Sequence, residues 1–134
     1  MNTIKISLLI SLLYLPFFTS LSFAGDSFEG KQLTKRLCSG CHRFGPRFKR
    51  MNHSLVGPSF KSGIIGKKVG KSPKYKYSKA FLKAASDGYI WDEKNLDKFL
   101  SNPSKLFKKN KMSSFKGVKD PEDRANIIAF LKSL

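Results

Sequence analysis

Cys38-Ser39-Gly40-Cys41-His42 is the only place in the chain where a histidine stands beside both cysteines. No other stretch constrains the fold as much. Two thiols three residues apart on a helical turn can each add to one vinyl group of a haem, leaving the next side chain aimed at the iron. C-x-x-C-H therefore reads as a site of covalent attachment of a c-type haem. His42 would supply one axial nitrogen, and an iron already holding four porphyrin nitrogens wants one further ligand. As a structural crosslink the same cysteines would do little, because so small a loop removes little unfolded-state entropy. A chain built on this motif must wrap a flat apolar disc, and 12 Phe, 4 Tyr and 1 Trp in 134 residues give it the material.

The N-terminus reads as a targeting segment. Lys5 precedes an apolar run from Ile6 to Phe18 that Pro16 interrupts, and Ser22-Phe23-Ala24 has the small-x-small pattern of a cleavage site. An uncleaved membrane anchor is the alternative, but a span needs about 20 predominantly apolar residues and this run is shorter. The expected organisation is a signal peptide over residues 1–24 and one domain over residues 25–134, exported to the periplasm. Thiols destined for haem also suit an oxidising compartment.

Charge is the next constraint, with 26 Lys+Arg against 9 Asp+Glu and a net charge of +17. Part of such an excess only keeps a surface solvated. A functional excess implies a partner of opposite sign. Export argues against nucleic acid, which leaves an acidic protein face or an anionic membrane surface.

Along the mature chain the signals are helical, with no convincing strand. Asp26 and Glu29 form a capping box for a helix to about Leu37. Gly30 within it suggests a close approach by another element. Arg43 to Val56 is a loop that interleaves aromatic and basic residues, closed by Gly57-Pro58, and Gly63 to Lys74 is too rich in Gly and Lys for a long helix. Ser78 to Asp87 predicts a short helix stopped by Gly88. Asp92 caps another, with Leu96, Phe99 and Leu100 on one face and an end at Asn102-Pro103. Lys108 to Lys111 reads as a polar, extended run into Met112. Asp120-Pro121-Glu122-Asp123 starts the last helix, which buries Ile127, Phe130, Leu131 and Leu134.

Met51, His53 and Met112 are the candidates for the remaining iron ligand. Met51 and His53 follow His42 by only 9 and 11 residues, whereas Met112 lies 70 residues on, far enough for the chain to pass round a haem edge. A methionine is often core filler, but Met112 sits between Lys111 and Ser113, away from any apolar helix face. Other chemistries fit less well. A thiol oxidoreductase using CSGC would follow a strand in a βαβ pattern, and zinc needs more clustered ligands than these. A haem enzyme or gas sensor would need an open or labile sixth position.

The motifs CSGCH, Val56-Gly57-Pro58-Ser59, Tyr77-Ser78-Lys79-Ala80, Ile90-Trp91, Leu96 to Pro103, Lys111-Met112, Phe115-Lys116-Gly117 and Asp123 to Leu131 occur in this order. Together they resemble a class I cytochrome c, a branch that includes mitochondrial cytochrome c and small bacterial relatives. The resemblance covers residues 25–134. It implies a small all-α, single-domain fold of about four to five helices wrapped around one covalent haem c. It also implies a monomeric one-electron carrier rather than an enzyme. Its partners would be acidic docking faces of redox proteins, a quinol-oxidising cytochrome complex or dehydrogenase on one side and a terminal oxidase or other acceptor on the other.

By the same resemblance, Cys38 and Cys41 are thioether attachment points, and His42 and Met112 the proximal and distal ligands. Pro58 offers a carbonyl to the other imidazole nitrogen, Tyr77 and Trp91 hydrogen-bond a buried propionate, and Gly30 packs the first helix on the last. Three positions and one segment depart from the family pattern: Thr34 stands for an aromatic, Lys67 for an arginine near the propionates, Phe99 for a tyrosine, and Phe107 to Lys111 (FKKNK) for proline-glycine-threonine-lysine before the methionine. Without that proline and glycine the ligand loop is expected to be less rigid.

Overall fold

A backbone-to-backbone crossing of the first and last helices sets the frame. In the computed structural model, which describes residues 24–44, 57–72 and 75–134, α1 spans Ser27–Leu37 and α5 spans Pro121–Lys132. Each starts where an aspartate caps it. The Asp26 carboxylate accepts from the backbone N–H of Phe28 at 2.7 Å and of Glu29 at 3.2 Å, and that of Asp120 accepts from Glu122 at 2.8 Å. Pro121 then occupies the first turn, where its missing N–H costs nothing. A Cβ built on Gly30 would lie 1.8 Å from the carbonyl oxygen of Asn126, so only a residue without a side chain lets the helices meet there. Gly25 meets the carbonyl of Ala125 in the same way. The Asp26 N–H adds a bond to Asn126 Oδ1 at 2.6 Å.

Three shorter helices complete the fold among the described residues. α2 covers Lys79–Ser86, capped by Ser78, and α3 covers Glu93–Ser101, where Asp92 accepts from Asn95 N–H at 2.6 Å. Leu96, Phe99 and Leu100 face the core, and α3 packs on α5. The Arg124 side chain links them, donating to Asp97 at 2.6 Å and to the carbonyls of Val118 and Lys119. A further turn of helix, α4 over Pro103–Leu106, follows at once, with Asn102 as its cap. The expected stop at Asn102-Pro103 is therefore a change of direction: proline ends α3 and opens α4.

Two expectations are corrected. Arg43–Phe44 (β1) and Ser59–Phe60 (β2) form a short parallel pair, and residues 66–69 run beside 89–91 through the bonds Gly66 N–H to Trp91 O, Trp91 N–H to Lys67 O and Val69 N–H to Tyr89 O. Two-residue strands are too short to show an alternating pattern, yet the extended backbone near the core must still pair its polar groups. Residues 108–114 form successive turns rather than an extended run, and Lys109 takes φ 56°. The targeting segment apart from Ala24, Met51, His53 and most of the loop from Arg43 to Val56 lie outside the described residues.

Phe81, Trp91, Phe99 and Phe107 make the aromatic half of the core, Phe81 and Phe99 meeting edge-on with centroids 5.7 Å apart. Three of these rings, Phe81, Trp91 and Phe99, face a cavity lined by helices and loops.

Replacing Gly30 by alanine is expected to force the α1–α5 crossing apart and cost about 3 kcal/mol. Gly40→Ala, with no atom within 4 Å of the new Cβ, is expected to change stability by less than about 0.5 kcal/mol; denaturant titration of the haem-loaded protein measures both. Lys109→Gly removes the cost of a left-handed lysine, part of which returns as unfolded-state entropy, so a gain of roughly 0.5–1 kcal/mol is expected in the same titration.

Candidate functional site

The end of α1 delivers the motif. Cys38 closes the helix by donating its N–H to Thr34 O at 2.9 Å, and the N–H groups of Cys41 and His42 both return to Cys38 O, at 3.1 and 2.9 Å. That single turn brings Cys38, Cys41 and His42 to the wall of one cavity of about 360 Å³. Both thiols are free, Cys38 half-buried and Cys41 exposed. Burial, with a smaller contribution from neighbouring Cys41, pushes the Cys38 thiol up to about 12. Its sulfur therefore carries a proton at neutral pH.

His42 is buried and held on two sides. Its Nδ1 lies 3.0 Å from Pro58 O. A carbonyl can only accept, so Nδ1 carries the proton and Nε2 keeps a lone pair. Burial lowers the imidazole pKa more than the Pro58 bond raises it, which keeps the ring neutral, the form that ligates a metal. Gly57 is the second hold. Its absent Cβ would sit 2.3 Å from His42 Cε1, and its N–H donates to Cys41 O at 3.0 Å. The Phe60 ring stacks on the imidazole with centroids 5.0 Å apart.

Met112 lines the same cavity, as do Pro58, Tyr77 and Trp91. Met112 is the only methionine among the described residues. Its backbone N–H donates to Asn110 Oδ1 at 2.6 Å, and its carbonyl accepts from Phe115 N–H at 2.9 Å. The Tyr77 hydroxyl accepts from Ser72 N–H at 3.2 Å. Burial raises the Tyr77 pKa against the lowering effect of Ser72, so the hydroxyl keeps a proton to donate. The seven residues singled out in the sequence thus converge on one space. Its walls are otherwise mostly aromatic and aliphatic, with Thr34, Ser78 and Ser114 among them, and Lys111 is the only charged residue among the described residues that line it.

The departures have visible consequences. Lys67 Nζ donates to Ser62 O, Ser62 Oγ and Gly63 O at 2.8, 3.0 and 2.9 Å, so its charge tethers a loop. Thr34 is fully buried in the wall, with no hydrogen-bond partner for its hydroxyl. Phe99 is buried among other rings. Reasoning from the sequence missed Gly57 as a cradle for the imidazole, Phe60 as its stacking partner, and Asn110. A glycine directly before Pro58 was the available signal for the first; nothing local marks the others.

These residues fit a haem. The space is apolar and walled by rings, two thiols stand at its edge, and a neutral imidazole and a thioether are both present, one nitrogen and one sulfur donor of the kind iron takes in electron-transfer haems.

Comparison with known proteins agrees. The family model described as Cytochrome c matches residues 27–134. Cytochrome c2 of Rhodomicrobium vannielii is 42% identical over 108 residues, covering 81% of this chain and 78% of that protein. Cytochrome c2 of Agrobacterium tumefaciens is 41% identical over 107 residues, 80% of this chain and 90% of its own. Among solved structures, cytochrome c2 from Rhodospirillum centenum superposes with a TM-score of 0.68 at 28% identity, covering 81% of this chain and 98% of its own. Cytochrome cH from Methylobacterium extorquens superposes with a TM-score of 0.67 at 32% identity, covering 82% and 100%. With its motif, its helical frame and its cavity all pointing the same way, the chain belongs to the cytochrome c family.

Proposed function

We propose that this c-type cytochrome is a soluble periplasmic one-electron carrier, not an enzyme, whose single haem c is attached through Cys38 and Cys41 and closed on both faces by His42 and Met112. The convergence of His42 and Met112 on one apolar cavity, from positions 70 residues apart, carries this reading. When bound, the haem supplies reversible one-electron chemistry at iron. The protein's own groups set the conditions. Pro58 O and Gly57 fix the imidazole plane and leave Nε2 as donor, and a hydrogen-bonded imidazole is a more basic ligand. Phe81, Trp91 and Phe99 exclude water, which penalises the more highly charged oxidation state, and a thioether opposite a histidine acts in the same direction. Tyr77 has a proton to give to a propionate, and Trp91 lines the same cavity. With His42 and Met112 both serving as ligands, the chain would leave no position on the iron for a substrate.

Charge distribution supports docking to acidic partners. All nine acidic residues fall within residues 26–29, 87–97 and 120–123. None lines the cavity, where Lys111 is the one charged group among the described residues. Electron-transfer encounters of this kind are small, below about 1,200 Å² in total, and rely on steering more than on buried area. A quinol-oxidising cytochrome complex or a dehydrogenase would be the donor and a terminal oxidase or similar protein the acceptor, with an anionic membrane surface as a second site of attraction. Among the described residues no helix is long and apolar enough to cross a membrane.

Two measurements test this reading. The reduced wild-type protein is expected not to bind carbon monoxide at neutral pH, and Met112→Ala to bind it while losing the sulfur-to-iron charge-transfer band; carbon monoxide binding by the wild type would establish an open site instead. Oxidation of the reduced protein by ferricyanide should slow by about tenfold or more from low to high ionic strength. Oxidation by a tripositive cobalt complex should accelerate. Rates indifferent to salt with both reagents would remove the case for docking by charge.

A further inference from the structure

The segment carrying Met112 contains neither proline nor glycine from Leu106 to Ser114, and one side chain takes over the bracing those residues would give. Asn110 is 4% exposed although its neighbours Lys109 and Lys111 are exposed. Its Nδ2 donates to Pro103 O at 3.0 Å and to Phe107 O at 2.7 Å, and its Oδ1 accepts the Met112 N–H at 2.6 Å. Both amide hydrogens are thereby used, and the acceptor is spent on the backbone of Met112 itself. Carboxylate, hydroxyl and aliphatic side chains all lack part of this set. The left-handed turn at Lys109, φ 56°, is what directs the next side chain inward. A carboxamide this buried is expensive unless satisfied, so the turn and its bonds form or break together.

We infer that Asn110 is the positioning residue for Met112: its carboxamide ties the methionine backbone to the end of α4 and sets how often the sulfur leaves the cavity. Lys111 adds a weaker tie on the outside, with Nζ 2.5 Å from Lys76 O and 5.0 Å from the centre of the Tyr75 ring. Such exposed contacts contribute little. Opening of the site therefore requires release of the Asn110 bonds to Pro103, Phe107 and Met112 as one event. This inference rests on the reading of Met112 as an axial ligand.

The test uses the haem-loaded, full-length ferric protein and imidazole as the probe. At saturating imidazole the observed binding rate reaches a plateau equal to the rate at which the methionine leaves. Asn110→Ala is expected to raise the plateau by about ten- to a hundredfold, with Asn110→Ser in between. Asp120→Ala, which weakens a distant helix cap, should lower the melting temperature yet leave the plateau within about twofold. A plateau in Asn110→Ala no higher than in Asp120→Ala would show that Asn110 serves only general stability and would overturn the inference. Should neither Asn110 variant fold, amide hydrogen exchange in the unmutated protein decides: exchange of the Met112 N–H at the plateau rate supports the tie, and exchange at the rate of exposed amides refutes it. The ligand assignment is tested separately, because absence of the sulfur-to-iron band from the wild type, or its survival in Met112→Ala, would discard Met112 as ligand whatever the Asn110 variants do.

Discussion

The contact between Gly30 and the carbonyl of Asn126 is the constraint on which the rest of the structure depends. It joins residues near the two ends of the domain, and at that distance no side chain fits between the backbones. Because α1 is fixed there, the turn of chain at its C-terminal end is fixed as well, and that turn carries both cysteines and the histidine. Leu33 and Thr34 pack in the same seam, and Ile127 and Leu131 reach from α5 to the cavity wall. Packing of the termini and placement of the haem motif are thus one structural problem with one solution. A large cofactor buried in so small a domain adds apolar contact that the chain alone lacks, so the frame and its occupant stabilise each other.

Within that frame His42 and Met112, the two residues proposed as axial ligands, are held by different means. His42 is fixed by a glycine cradle, a carbonyl and a stacked ring, all from residues 57–60. Those contacts choose the tautomer as well as the orientation. Among the described residues Met112 is held through its backbone, by Asn110 from one side and by the turn to Phe115 from the other. A ligand fixed through its own ring is hard to displace, whereas one fixed through its peptide N–H can swing away once that bond breaks. The asymmetry in construction implies an asymmetry in lability, with the sulfur side opening first.

What was legible in the sequence followed from how local the cause was. Asp26, Asp92 and Asp120 announced three helix starts because a cap depends on a few adjacent residues, and all three carboxylates cap, although the Asp26 N–H bonds Asn126 and not Glu29 of the expected box. Gly30 could be suspected from its position, but its partner Asn126 became visible only in three dimensions. The parallel pair of β1 and β2 was illegible because its cause is the backbone's need for partners rather than side-chain pattern. The loop before Met112 was read from what it lacks, proline and glycine, and so was expected to be loose. The compensating residue is an asparagine between two lysines, a sequence context that by itself suggests a solvated turn. Its burial is set by the left-handed lysine before it and by the carbonyls of Pro103 and Phe107, none of which a linear reading puts near one another.

The placement of acidic residues ties folding to electrostatics. Asp26, Asp92 and Asp120 are caps; Glu29, Glu93, Glu122 and Asp123 lie in the first turns of helices; Asp87, Asp97 and Glu93 pair with Lys83, Arg124 and Lys132. Every one of the nine acids therefore serves a helix start or an ion pair. Helix starts favour negative charge because the exposed N–H groups there carry partial positive charge, so acids gather where α1, α3 and α5 begin. The segments that supply the cysteines, the histidine, the methionine and the aromatic wall apart from Trp91, residues 30–86 and 98–119, contain no acid at all. The lopsided charge that would steer an acidic partner thus needs no separate patch of lysines evolved for the purpose. It follows from keeping acids only where the fold uses them, and a substitution that adds an acid in a loop beside the cavity would change docking without removing a helix cap or an ion pair.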